Sequence, residues 1–177
     1  GPGSFLNRNF VCSQPSISEG VVFFGATYGD RPRVYALEAS NGTELWHWSR
    51  PTPFRAIELW GIMGGVSSSL QPFSLCPAVW EEHVYVGCHD GYVYALDTRD
   101  GRKKWGFQTG GVPLSSPSVS DGLVFIGTVG GGNRLHRPPG TVANGKVYAL
   151  DSRTGRIVWE FEAIGNVFSS PAVWGGL

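Results

Sequence analysis

The sequence predicts an all-β fold, a β-propeller of four-stranded antiparallel blades, and three observations lead there. One segment recurs three times in register, the composition suits short strands, and apolar runs of strand length alternate with turn residues. The 177 residues include 26 Gly, 13% aromatic residues and only 16% charged residues, the last well below the roughly 25% of an average soluble domain. Abundant Gly with Trp, Tyr, Phe and Val fits strands joined by tight turns. Gly1-Pro2-Gly3-Ser4 reads as a remnant of tag cleavage and is set apart, leaving residues 5–177 as one propeller domain or propeller fragment.

The repeat carries the fold. Val34-Tyr35-Ala36-Leu37-Glu38, Val93-Tyr94-Ala95-Leu96-Asp97 and Val147-Tyr148-Ala149-Leu150-Asp151 align, each closing four residues later on Gly42, Gly101 or Gly155. Four residues beyond each Gly stands Trp46, Trp105 or Trp159, and two further on Trp48, Phe107 or Phe161. Upstream, Pro15, Pro77 and Pro117 precede Gly25, Gly87 and Gly127 by ten residues, with apolar runs between. Each unit therefore holds four strands, A to D: a Pro-led segment, an apolar run ending in Gly, Val-Tyr-Ala-Leu, and the Trp segment. Asn41-Gly42 and Asp100-Gly101 are hairpin signals, since such turns need positive φ. The units span approximately 13–73, 74–114 and 115–168, and a fourth begins at 169–177 with Ser169-Ser170-Pro171-Ala172-Val173. A period of about 40 residues is that of a propeller blade. Single sheets cannot bury both faces, so blades pack on one another, and Trp46, Trp105 and Trp159 are the expected wedges between them, with small Ala and Gly leaving room for a ring.

The Ser-Ser-Pro-Ala-Val of 169–173, the Val-Tyr-Ala-Leu-Asp of 147–151 with Thr154-Gly155, and Trp159 followed by Phe161 resemble the quinoprotein-like propeller repeat. The resemblance runs from Cys12 to Leu177. That family includes alcohol dehydrogenases carrying pyrroloquinoline quinone (PQQ), and cofactor-free members: the outer-membrane assembly lipoprotein, sensor domains of bacterial kinases, and propellers appended to acyl-activating enzymes. The resemblance implies a full ring of seven or eight blades and, by precedent, the bacterial periplasm or cell envelope. Three complete units and the first strand of a fourth make only part of a ring, so a homo-oligomer or a longer chain is expected. A lone arc exposes apolar blade faces.

Function on a repeat scaffold resides where the units differ. From the strand-B Gly to the strand-C Tyr, unit two takes seven residues, unit one ten (through Tyr28, Arg31 and Arg33) and unit three twenty-one (through Arg134, His136 and Arg137). The D-to-A connection takes twelve residues after Trp105 and Trp159 but thirty-one after Trp46, through Phe54, Arg55 and Trp60. Strand direction alternates, so all three insertions fall on one face. In the resembled family that face carries cofactor, substrate or partner. Tyr28, Arg31, Arg33, Phe54, Arg55, Trp60, Arg134, His136 and Arg137 are the candidate contacts, because Arg among aromatics is the composition of a protein or carboxylate surface.

Other chemistry is weaker. Lys plus Arg and Asp plus Glu are both 14, which gives nucleic acid no bulk charge to follow, and no apolar run is long enough for a transmembrane helix. The four His are scattered without metal-ligand spacing, and Gly130-Gly131-Gly132-Asn133 lacks the Lys-Ser/Thr of a phosphate loop. Quinone dehydrogenases need calcium ligands, a catalytic Asp and usually an adjacent cysteine pair, and no Cys-Cys occurs here. The expectation is a non-catalytic scaffold that binds a protein or peptide, without cofactor, catalytic residue or metal. The alternatives are a fragment of a PQQ-dependent dehydrogenase, with PQQ and calcium, and a structural appendage of a larger enzyme or sensor kinase. Pairing Trp80 with Val84 would set Cys76 opposite Cys88, either as neighbouring thiols able to bridge or as two inert small hydrophobes.

Overall fold

Alternating apolar runs make strands here because their side chains point to the two faces of a blade in turn, and in blade two one face packs on blade one and the other on blade three. The computed structural model describes residues 10–11, 13–28, 31–50, 76–88, 90–130 and 144–173, and its regular structure is all β. β1 (Phe10–Val11) leads into blade one, formed by β2 (Ser16–Ser18), β3 (Val21–Tyr28), β4 (Arg31–Glu38) and β5 (Glu44–Ser49). Blade two holds β6 (Ala78–Trp80), β7 (His83–Cys88), β8 (Tyr92–Asp97) and β9 (Lys103–Gln108). β10 (Gly111–Pro113) then precedes blade three, which holds β11 (Ser118–Ser120), β12 (Leu123–Gly130), β13 (Lys146–Asp151) and β14 (Ile157–Glu162). Each blade is the expected antiparallel A-B-C-D sheet of a propeller.

Blade two shows the period of 2 clearly. Val84, Val86, Cys88, Tyr94 and Leu96 join a core with Phe23, Val34, Ala36 and Trp46 of blade one. Tyr85, Val93, Ala95 and Trp105 join the opposite core with Val124, Ile126, Tyr148 and Leu150 of blade three. Trp46 and Trp105 lie in these joints. Trp46 Nε1 donates to Thr98 O at 2.8 Å, and Trp105 Nε1 to Ser152 O at 2.9 Å. Both rings lie against the C-D turn glycine of the next blade. A Cβ on Gly101 would meet Trp46 at 2.6 Å, and one on Gly155 would meet Trp105 at 2.6 Å, so neither position has room for a side chain. Within each blade the C-D ladder shifts after Ala36, Ala95 or Ala149, a bulge that sets the alanine opposite its tryptophan.

The C-D turns are longer than two-residue hairpins. Gly42, Gly101 and Gly155 close them by donating to Glu38 O, Asp97 O and Asp151 O. Acidic side chains hold the turn from inside: Asp97 Oδ1 accepts from Arg99 N at 2.8 Å, and Asp151 Oδ1 from Thr154 N at 2.8 Å. A belt of contacts links the A strands of successive blades. Ser16 Oγ donates to Pro77 O and Ser118 Oγ to Pro171 O, while Cys76 N donates to Ser116 Oγ at 3.1 Å and Ser116 N to Ser170 Oγ at 2.9 Å.

Three details differ from the sequence expectation. First, strand A is split. β1 and β10 pair with the far ends of β3 and β12, and Ser13 and Ser115 span the breaks: Gly25 N donates to Ser13 Oγ at 2.7 Å, and Gly127 N to Ser115 Oγ at 2.6 Å. Second, the unit-one insertion is not a loop. Its B-C hairpin simply continues, through Ala26 opposite Arg33, to Tyr28 opposite Arg31. Third, the A-B hairpin of blade two pairs Trp80 with His83, Val79 with Val84 and Ala78 with Tyr85. The turn is the two residues Glu81-Glu82, with Glu81 at φ 50°, as Glu19 and Asp121 are at 48° and 50° in the other blades. This one-residue shift takes Cys88 out of the position opposite Cys76, since a slip of one turns every side chain to the other face. Both cysteines are free.

Candidate functional site

The face built from B-C and D-A connections is held together by backbone. Gly91 in the B-C turn of blade two accepts from Thr109 N at 2.8 Å and Thr109 Oγ1 at 2.9 Å, just after strand D. In blade three Gly145 O accepts from Ala163 N at 2.9 Å, and Gly145 N donates to Gly165 O. The two kinds of connection therefore lie side by side, at the end of the blades where the chain departs most from its repeat.

At this end a buried acid joins blades one and two. The Asp90 side chain is 2% exposed and its Oδ2 accepts from Arg50 Nε at 2.9 Å, with the Arg50 side chain 17% exposed. Oδ2 also accepts from Tyr94 OH at 2.6 Å, and Oδ1 from Tyr92 N at 2.9 Å. Burial, the hydrogen bond to Asp90 and its negative charge push the Tyr94 phenol far above its usual range. Burial, with the Asp90 charge, likewise pushes the Cys88 thiol well up. Tyr94 packs on Trp48 at 5.0 Å and stacks on Tyr92 at 5.6 Å. An acid buried this deeply persists because every partner is in place. Arg50 is the last residue before the long D-A insertion of unit one, so the ion pair pins the root of that insertion.

Of the sequence candidates, Tyr28 and Arg31 face each other across the end of the β3–β4 hairpin. Arg33 lies in the same hairpin, opposite Ser49 on β5, and its guanidinium donates to Tyr35 OH at 3.2 Å. Phe54, Arg55, Trp60, Arg134, His136 and Arg137 lie outside the described residues. Trp46 and Trp105 are the buried wedges, and Trp159 occupies the same place on β14 with 43% exposure. The Arg50–Asp90 pair is the feature that reading the sequence missed. Only a Gly following Asp90 marked it, and that signal fits an ordinary turn equally well.

The family profile described as outer membrane protein assembly factor BamB matches residues 7–160. The chain belongs to this PQQ-like propeller-repeat family. It is 33% identical over 129 residues to the outer membrane protein assembly factor BamB of Yersinia pestis, covering 71% of this chain and 26% of that protein. It is 39% identical over 92 residues to the beta-alanine-activating enzyme of Danio rerio, covering 52% of this chain and 7% of that enzyme. The solved quinohemoprotein alcohol dehydrogenase of Pseudomonas putida superposes with a TM-score of 0.64 at 27% identity, covering 89% of this chain and 21% of that one. The chain thus spans about a quarter or less of each of these proteins.

A quinone with calcium calls for a cluster of carboxylate and amide ligands. Among the described residues no three His, Cys, Asp or Glu side chains gather to hold a metal ion. Asp90, the buried acid of this face, already has both oxygens engaged by Arg50, Tyr94 and Tyr92. The described residues do not fit the quinone–calcium group.

Proposed function

We propose that this propeller segment is a non-catalytic scaffold that binds a protein or peptide partner through its B-C and D-A face. The observation carrying this reading is convergence: the length excess of units one and three falls on one face, and the root of the longest excess is pinned there by Arg50 and Asp90. A buried ion pair fixes the residue from which a long connection departs. The similarity to an outer membrane protein assembly factor agrees with a partner that is itself a protein. Tyr28, Arg31, Arg33, Phe54, Arg55, Trp60, Arg134, His136 and Arg137 are the proposed contacts.

The test is to select a displayed random-peptide library on the folded chain and titrate the recovered peptides. They are expected to lose affinity for a variant in which residues 130–144 carry the short connection of blade two, while the β circular dichroism persists. Undiminished affinity there, and in a variant lacking 53–61, would sink the reading. The similarity to a quinohemoprotein alcohol dehydrogenase favours a second reading, a fragment of a quinone enzyme. Adding PQQ with calcium and recording a bound-quinone band and dye-coupled alcohol oxidation separates the two.

A further inference from the structure

The C-D turn of blade one carries a motif that the fold itself does not need. It reads Asn41-Gly42-Thr43, the one place among the 177 residues where Asn stands two before Ser or Thr with no Pro between. On a surface turn that spacing marks an acceptor of N-linked sugar. Residues 39–43 are all exposed. Thr43 N donates to Asn41 Oδ1 at 2.8 Å, so the side-chain oxygen is held by the third residue of the motif, while Nδ2 has no partner among the described residues. Backbone closes the turn around them: Gly42 N donates to Glu38 O and Glu38 N to Thr43 O, each at 2.8 Å. This exposure belongs to the turn and not to the end of the chain. Blades two and three each have a blade packed before them. There the equivalents Asp100 and Arg102, and Thr154 and Arg156, are exposed as well, although the glycines between them are buried. The frame recurs too, with Asp100 Oδ1 accepting from Arg102 N at 3.0 Å and Thr154 Oγ1 from Arg156 N at 3.4 Å. Blade one alone joins that frame to a side-chain amide and a hydroxyl two residues on.

We propose that Asn41 is a glycosylation site, taking an oligosaccharide from a donor activated as a polyprenyl pyrophosphate. Asn41 Nδ2 forms a bond to the anomeric carbon of the donor's first sugar. The bond from that carbon to the pyrophosphate oxygen breaks, its electron pair leaving on the oxygen, and Nδ2 gives up one proton to a base of the transferase. Gly42, without a side chain, leaves the middle of the motif uncrowded. A blade packed before this one would cover Gly42 yet leave Asn41 outside, as Asp100 and Thr154 are outside. C-D turns leave the blades at the end opposite the B-C and D-A connections, so the sugar stands clear of the face proposed for a partner. The site is therefore independent of that reading.

The test is to translate the full chain behind a cleavable secretory leader in the presence of endoplasmic-reticulum microsomes. Leader removal reports entry into the lumen. The processed chain is expected to carry a single glycan by intact mass, and a peptide N-glycosidase is expected to remove it. Release in heavy-oxygen water should leave a labelled aspartate at position 41 in the tandem mass spectrum. Thr43→Ser should keep the sugar, whereas Thr43→Ala and Asn41→Gln should lose it. Because the turn is exposed, the glycosylated chain should keep the β circular dichroism and urea midpoint of the bare one. A processed chain without sugar, a glycan that survives Thr43→Ala, or an unlabelled aspartate at position 41, the mark of spontaneous deamidation, overturns the proposal. So does a glycosylated chain that has lost its β spectrum.

Discussion

Trp105 and Trp159 stand at the same place in consecutive blades, yet one is buried against Gly155 and the other is half open. Their own sheets are alike: each ring sits opposite an alanine, near an aromatic of strand B, Tyr85 for one and Phe125 for the other. The difference is the following blade. Burial in a repeat array is a property of the joint more than of the repeat, and stability accumulates through nearest neighbours.

Removing the buried member should have the largest effect. Trp105→Ala is expected to lower unfolding free energy by about 3–5 kcal/mol in urea titration, the range for a buried large aromatic. Trp159→Ala should cost about 1–2 kcal/mol because much of that ring is already in water. Equal losses at the two positions would break the comparison. Arg50→Ala should cost about 3 kcal/mol, since it leaves the buried Asp90 without its cation. Gly155→Ala adds roughly 1–3 kcal/mol of overpacking against Trp105 to a left-handed backbone cost of about 1–2 kcal/mol, whereas Gly42→Ala, where a Cβ meets no described atom within 4 Å, bears only the latter.

A smaller effect depends on pH. Burial pushes the Asp97 carboxyl up, but Lys104 Nζ at 2.8 Å and the Arg99 backbone and side chain outweigh it and hold it well below its ordinary 3.8. The unfolded chain therefore takes up this proton first as pH falls. The stability Asp97 contributes is complete above about pH 3.8 and is lost as pH drops from there through its lower folded value. The gap in urea midpoint between the native chain and Asp97→Asn should accordingly narrow in acid. A gap that widens as pH falls contradicts the assignment. The smallest expectation is chemical: a thiol reagent should label half-buried Cys76 in the folded chain and reach buried Cys88 only on unfolding, with no bridge between them after mild oxidation.

Strand order and the places of the tryptophans were legible in the sequence because they recur, and three aligned copies of Val-Tyr-Ala-Leu with Gly and Trp leave little freedom; the start of blade three was not, since β10 pairs with β12 ahead of the expected boundary at 115. Features peculiar to one blade or one joint were not. The split of strand A depends on Ser13 and Ser115 bridging backbone across a break, and serines before a proline carry no such mark. The two-residue turn at Glu81-Glu82 was readable only by aligning it with Glu19-Gly20 and Asp121-Gly122. Arg50 and Asp90 lie forty residues apart, across the longest insertion, and neither fits the repeat. Of the proposed binding face, the sequence disclosed the side on which extra length collects, but not the buried acid at its edge.

The account rests on each tryptophan being held by the blade that follows. Indole N–H hydrogen exchange by NMR reports this directly. The Trp46 and Trp105 signals should be strongly protected at every protein concentration, because their acceptors Thr98 O and Ser152 O belong to the same chain. Trp159, 43% exposed and with no following blade among the described residues, should exchange much faster than either. A Trp159 signal as protected as that of Trp105, or a Trp105 signal exchanging at the free rate, would contradict the account.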